Sequence, residues 1–289
     1  MKALYDVPAP AKLNLFLHVT GRRPDGMHLL QSAFMLIDWT DTLHFERRAG
    51  GAVSREDMGI ALPENDLAVR AARALQAATG TAEGVHITVQ KRVPSQAGMG
   101  GGSSDAATCL MALNRLWNLR LSGAMLAEIG VRLGADVPFF LMGGHAWAEG
   151  IGEKLALLDL PPARFVVVKP AEGLETARIF AATHLKRDTP AAIISGFAAN
   201  PYGFGINDLQ AAACGLCPTV GDALEWLASQ GLQGRMTGSG SAVFALLPES
   251  NPDGRSLMAA PEGWQVRECS NLEAHPLAGW VSSDSSVGG

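Results

Sequence analysis

The sequence is short of cysteine, tyrosine and basic charge, and it has neither a long apolar run nor a single Gly-Lys dipeptide. Each gap removes a class of function. Four cysteines in 289 residues do not make a disulfide framework, and a reducing cytoplasm is the expected setting. Lys and Arg number 23 against 28 Asp and Glu, a formal net charge of −5. The chain therefore lacks the cationic footprint of a general nucleic-acid binder, although a local basic pocket for a small anion stays open. No apolar stretch approaches the length of a membrane span, so no membrane partner is expected. Asp6 and two prolines interrupt "MKALYDVPAPAKLNL", which argues against an export signal. Without Gly-Lys there is no P-loop.

What is present is ordinary for a soluble globular protein: 47% hydrophobic and 18% charged residues over a length that suits two domains. Cys214 and Cys217 form a C-x-x-C, but in a helix-like stretch with neither a preceding strand nor a second ligand pair, so two buried thiols are expected there. No repeat of solenoid length occurs. The small, polar end of the chain, 284–289, reads as a disordered tail.

"AKLNLFLHVTG" alternates with period two: Leu13, Leu15, Leu17 and Val19 face one way, Lys12, Asn14, Phe16 and His18 the other. That pattern predicts a half-buried strand. After a Pro-Asp-Gly turn, "LLQSAFMLIDW" and "DTLHFE" read as further strands. "ENDLAVRAARALQAATG" reads as a helix capped by Asn65 and closing near Gly80. "GVHITVQKRVP" is another alternating strand. Ala106, Leu110, Leu113 and Trp117 predict an amphipathic helix over 104–118, and another runs from Ser122 to Gly134. A second segment holds the strand "RFVVVK", a helical region over 207–229 and the turn "TGSGS"; Pro161 and Pro162 mark the linker before it.

Between the strand ending near Pro94 and the helix lies "VPSQAGMGGGSSDAA". Strand, glycines, helix is an arrangement that aims unpaired N–H groups and a helix dipole at an anion, with no Cβ atoms to keep it away. Ser103 and Ser104 are placed to cap the helix and to offer hydroxyls. A nucleotide phosphate suits this geometry. Beyond the missing P-loop, a dinucleotide fingerprint would need a glycine where Ser103 stands, and the His-Arg-Asp and Asp-Phe-Gly signatures of protein kinases are absent.

"PAPAKLNLFLHVTGRRPDGMH", "AGMGGGSSDAA", "LGADVPFFLMGG", "AWAEGIGE" and "MTGSGSAVFA" occur in order. Together, over roughly residues 7–275, they resemble the 4-diphosphocytidyl-2-C-methyl-D-erythritol kinases. These belong to the galactokinase, homoserine kinase, mevalonate kinase and phosphomevalonate kinase superfamily. The resemblance implies an α+β fold of two domains: an N-terminal ATP-binding domain of the ribosomal-protein-S5-like type (1–157) and a C-terminal ferredoxin-like domain (158–283), with the active site in the cleft between them. It implies phosphorylation by ATP of the 2-hydroxyl of a cytidine diphosphate sugar alcohol, in isoprenoid precursor synthesis. The partners are then small molecules, and the chain a monomer or homodimer.

The same resemblance implies that Pro94, Ser95, Gln96, Ala97, Gly98, Met99, Gly100, Gly101, Gly102, Ser103 and Ser104 cradle the triphosphate. Asp136 and Lys12 flank the acceptor hydroxyl, with Asp136 as general base and Lys12 as the cation beside it. Sequence leaves the mirrored assignment, a neutral Lys12 as base, open. Asn14 would orient substrate, His28 would hydrogen-bond the cytosine, and Phe180 would stack on it. The second stacking position, usually tyrosine, is Met27, which packs on rings but brings no quadrupole. Gly238, Ser239 and Gly240 would meet a substrate phosphate. Mg²⁺ is implied by the ATP chemistry without a carboxylate cluster to hold it; Ser104 and Glu149 are the oxygen donors on offer. Alternatives are a homoserine- or mevalonate-type kinase, a catalytically silent sensor on the same fold, and a dinucleotide-dependent oxidoreductase.

Overall fold

The computed structural model describes residues 1–248 and 257–281. In chain order the first part comprises β1 (Ala3–Arg22), β2 (His28–Arg48), β3 (Val53–Met58), α1 (Leu67–Thr79), β4 (Gly84–Gln90), α2 (Gly101–Leu116), α3 (Gly123–Val131), α4 (Val137–Met142), β5 (His145–Glu149) and β6 (Lys154–Leu158). The second comprises β7 (Arg164–Lys169), α5 (Thr176–Phe180), α6 (Ile194–Ala198), α7 (Gln210–Leu216), α8 (Pro218–Ser229), β8 (Arg235–Met236), β9 (Val243–Leu246) and β10 (Gln265–Ser270). Pro161 and Pro162 lie between the two groups. The expected tail at 284–289 falls outside the described residues.

β2 is the spine of the first sheet. β1 runs antiparallel along one side of it, and β4 and β5 share the other side, with β3 and β6 outermost. The second sheet has the order β10-β7-β9-β8, all antiparallel, which is the 4-1-3-2 order of a ferredoxin-like fold. The architecture is therefore α+β with two sheets, as expected. No helix among the described residues is long and apolar enough to cross a membrane.

Packing corrects the reading of β1. Its two faces are both buried: Val7 and Ala9 join Phe34 and Leu36 against the helices α1 to α4, while Ala11, Leu13 and Leu15 pack with Phe165, Val167 and Phe244 of the second sheet. A strand between two layers has no solvent face, so Lys12 and Asn14 are 4% and 2% exposed. A register shift between Asn14 and Leu17 then turns Leu17 and Val19 away from the core that holds Leu13 and Leu15. β2 is one continuous strand of 21 residues rather than two.

Local chemistry explains the other differences. α1 is capped by Asp66, whose side chain accepts from the Val69 amide at 3.1 Å, and not by Asn65. α2 starts three residues earlier than expected because Gly100, at φ 71°, supplies the left-handed cap; Ser103 and Ser104 lie inside the helix and cap nothing. α3 keeps its Ser122 cap but ends at Val131. The helical stretch over 207–229 divides at Cys217, where Pro218 opens α8. Cys217 is buried and Cys214 half-buried, both as free thiols.

Candidate active site

The two glycine turns of the sequence interlock. Gly98 has φ 70°, and a Cβ there would lie 2.2 Å from Thr237 O and 2.9 Å from Gly240 N. At Gly238, φ 53°, a Cβ would lie 2.6 Å from Gly98 O. Backbone bonds fasten the turns: Ser241 N donates to Gln96 O at 3.1 Å, and Ala242 N to Ala97 O at 3.3 Å. β1 is tied to both, through Lys12 N to Met99 O (3.0 Å) and Asn14 N to Thr237 Oγ1 (2.8 Å). Side chains at these glycines would push the two sheets' loops apart, which is why the residue type is required here.

A cavity of about 720 Å³ opens where these pieces meet. Lys12, Asn14, Asp136, Phe180, residues 94–103 and Gly238, Ser239 and Gly240 all line it. Ser104 does not, being wholly buried in α2 with no partner for its hydroxyl among the described residues. The first intrahelical bond of α2 is Ser104 N to Gly100 O at 2.9 Å, so the amides of Gly101, Gly102 and Ser103 precede it and remain open to an anion.

Lys12 Nζ lies 3.5 Å from Asp136 Oδ2. It also donates to Asn14 Oδ1 and sits 4.9 Å from the centre of the Phe34 ring. Asn14 Nδ2 is held in turn by Ser32 Oγ at 2.8 Å, and Ser32 Oγ donates to Phe16 O at 2.5 Å. Carboxylate, amide oxygen and ring face thus surround Nζ and fix its position. Asp136 stands at the N-cap of α4 but makes no capping bond: its backbone is helical, at φ −85° and ψ −11°, rather than extended as a capping residue's is, and Pro138 removes one of the two amides a cap could reach. Its carboxylate, 32% exposed, is left free toward the cavity.

His28 does not line the cavity. Its ring stacks on Phe180, centroids 4.9 Å apart at 28°, so one face of Phe180 is already covered. Met27 is 48% exposed on the preceding turn. Glu149 is turned elsewhere, its Oε1 accepting from Trp147 Nε1 and Gln31 Nε2, each at 2.9 Å.

Three groups escaped the sequence reading. Beneath the glycine loop, Lys91 Nζ bridges Asp41 and Asp105, the latter at 2.6 Å, and Asp41 also accepts the amides of Arg92 and Val93. Burial pushes the Asp105 carboxyl up to about 7, against the pull of the lysine. Lys91 sits at the end of β4 beside Arg92, where a Lys-Arg pair reads as surface charge; only the aspartate in "GGSSDAA" hinted at a partner. Thr176 shares a hydrogen bond of 2.7 Å with Ser239, joining α5 to the second turn. Arg187 reaches His28 across 159 positions of sequence.

Comparison with known proteins follows the same lines. The model of the GHMP kinases N terminal domain matches residues 66–144, and that of GHMP kinases C terminal matches 191–255. The 4-diphosphocytidyl-2-C-methyl-D-erythritol kinase of Polaromonas sp. (strain JS666 / ATCC BAA-500) is 64% identical over 294 residues, covering 97% of this chain and 95% of that protein. The protein of the same name from Variovorax paradoxus (strain S110) is 63% identical over 297 residues, covering 98% and 100%. A crystal structure of 4-(cytidine 5'-diphospho)-2C-methyl-D-erythritol kinase superposes with a TM-score of 0.74 at 36% identity, over 85% of this chain and 90% of that one. The mevalonate kinase of Methanococcus jannaschii, 15% identical with a TM-score of 0.66 over 93% and 98% of the two chains, shares the fold.

Proposed function

The chain belongs to the 4-diphosphocytidyl-2-C-methyl-D-erythritol kinases, within the GHMP kinases, and from that premise we propose how its own residues carry out the transfer. The reaction moves the γ-phosphoryl group of ATP to the 2-hydroxyl of 4-(cytidine 5'-diphospho)-2-C-methyl-D-erythritol, leaving ADP and the 2-phosphate, in the non-mevalonate isoprenoid pathway. Phosphoryl transfer leaves the protein mainly positioning and charge stabilisation.

Asp136 takes the proton of the 2-hydroxyl. The freed oxygen attacks the γ-phosphorus, the bond to the β,γ-bridging oxygen breaks, and its electrons leave with ADP. Lys12 lowers the energy of the developing alkoxide. The observation that carries this reading is the Lys12–Asp136 pair, 3.5 Å apart in the cavity that the glycine loop also lines. Lys12 Nζ donates to Asn14 Oδ1 and faces the Phe34 ring, which leaves the Asp136 carboxylate as the acceptor open to the hydroxyl and favours Asp136 over Lys12 as base. Asn14, fixed by Ser32, holds Lys12 in place.

Residues 94–103 receive the triphosphate, chiefly through the open amides of Gly101, Gly102 and Ser103; buried Ser104 takes no part. Gly238, Ser239 and Gly240 face a substrate phosphate, and His28 and Phe180 sit at the cytidine end. Among the described residues no three His, Cys, Asp or Glu side chains group as metal ligands. Mg²⁺ arriving with ATP would be held by the phosphate oxygens, with the Ser103 hydroxyl, which lines the cavity, as the protein oxygen offered to it. When bound, the ion neutralises charge on the β- and γ-phosphates.

The test is ADP release with Mg²⁺ and ATP, using the cytidylated substrate and, separately, methylerythritol 4-phosphate without the cytidine. Turnover confined to the cytidylated compound is expected. Equal turnover of both would remove the cytidine pocket from the account, and no turnover of the cytidylated compound would end it.

A further inference from the structure

One guanidinium organises the rim of the cavity. Arg187 NH1 donates to Leu185 O at 3.0 Å, and NH2 donates to Phe180 O at 3.1 Å and Ala182 O at 2.9 Å, carbonyls at and beyond the end of α5. Its Nε donates to His28 Nε2 at 3.0 Å. The carbonyls fix the plane of the fork, so the direction of the Nε–H is set before His28 meets it. Phe180, whose carbonyl is held, is also the ring on which His28 stacks.

An arginine has no lone pair to accept a proton and does not give its own up. A histidine nitrogen that receives an N–H from it must therefore be the bare, accepting nitrogen of a neutral ring. The ring proton of His28 is then on Nδ1, which has no partner among the described residues. Burial first, and then the positive charges of Arg187 and Arg22, lower the pKa of His28 and keep the ring neutral near pH 7.

We propose that Arg187 is a positioning residue for base selection: by holding His28 as the Nδ1–H tautomer, it presents a donor to N3 of cytosine. This rests on the cytidine-end reading of His28 and Phe180 given above. Cytosine N3 is an acceptor, whereas uracil carries a hydrogen there, so the same contact in uracil sets donor against donor. An unmade hydrogen bond of this kind separates the two bases by about tenfold. Freed of Arg187, the ring can exchange its tautomers, and a bare Nδ1 would accept from uracil N3–H as readily as Nδ1–H donates to cytosine.

Two readouts test this in the full-length protein. Long-range proton–nitrogen NMR on histidine-labelled protein, with His28 assigned through H28Q, should show a protonated Nδ1 and a bare Nε2 at neutral pH. Arg187→Met should return signal to the Nε2–H form. In parallel, calorimetry with cytidine 5'-diphosphate and uridine 5'-diphosphate, under saturating ADP to occupy the glycine loop, should show the cytidine preference falling about tenfold in Arg187→Met. An Nε2–H or doubly protonated His28 in wild type overturns the proposal even if the variant does not fold. So does an unchanged base preference in a folded variant, including one that loses affinity for both nucleotides alike. Neither readout requires turnover, so a chain that fails as a kinase would fail separately.

Discussion

Gly98→Ala puts the interlock of the two turns under direct load. At φ 70°, an alanine pays about 1–2 kcal/mol for the left-handed backbone alone. Its Cβ would also stand 2.2 Å from Thr237 O and 2.9 Å from Gly240 N, both backbone atoms with no rotamer to escape into. Forcing that contact apart adds about 1–3 kcal/mol. The sum, about 2–5 kcal/mol, is a large part of the 5–15 kcal/mol that holds a typical domain together. Two controls separate the contributions. Gly80 has φ 66° but nothing within 4 Å of its Cβ position, so Gly80→Ala carries only the backbone cost. Gly102 has helical backbone and meets only Leu67 Cδ1 at 3.5 Å, so Gly102→Ala leaves stability unchanged or raises it by up to about 1 kcal/mol. Urea denaturation midpoints and the KM for ATP are the assays. The expected order of loss is Gly98, then Gly80, with Gly102 least, and a raised KM for ATP at Gly98. A Gly98→Ala protein no less stable than Gly80→Ala, with an unchanged KM, would refute the interlock.

Lys91→Met should destabilise the protein by about 3–5 kcal/mol, because it strands two buried carboxylates. Asp105→Asn, at a carboxyl already raised to about 7, should cost less than about 1 kcal/mol; the reverse ranking in thermal unfolding would show the cluster misread. His275 is 2% exposed, and burial pulls its pKa down from 6.5 to about 4. A base lowered in the folded state contributes stability fully above pH 6.5 and loses it as pH falls toward 4, about 3 kcal/mol over that window at 1.36 kcal/mol per unit. His18 and His145 are lowered by burial too, so His275→Gln should shrink the acid slope of the denaturation midpoint without abolishing it; an unchanged slope would contradict this.

The parts of the site legible in the sequence were those whose chemistry is local. The strand–glycine–helix order of 84–116 is a short-range pattern, and the motif around Asp136 carries its own turn and its own proline. What eluded reading depends on distant partners. β1 looks amphipathic because its residue types alternate, although its exposure does not. The sheet covering its second face comes from residues 165–167 and 242–245, which periodicity in β1 cannot reveal. Ser103 and Ser104 resemble caps, but a left-handed Gly100 closes the turn first. Lys91 looks like surface charge until Asp41, 50 positions away, comes beside it. The stack of His28 on Phe180, and the arginine behind it, exist only once β2 and α5 are side by side. Pro218, by contrast, was a local sign of the break between α7 and α8.

The most direct test of the central claim is the turnover number of Asp136→Asn against wild type, with Mg²⁺, ATP and the cytidylated substrate all saturating. Asparagine keeps the shape of the side chain and removes the base, and Asp136 makes no capping bond whose loss could confuse the result. If Asp136 accepts the hydroxyl proton, kcat falls by about 10²–10⁴ while the denaturation midpoint and ATP affinity stay near wild type. A kcat within about threefold of wild type, a spread too small for a lost general base, would contradict the account and send the search for the base elsewhere in the cavity.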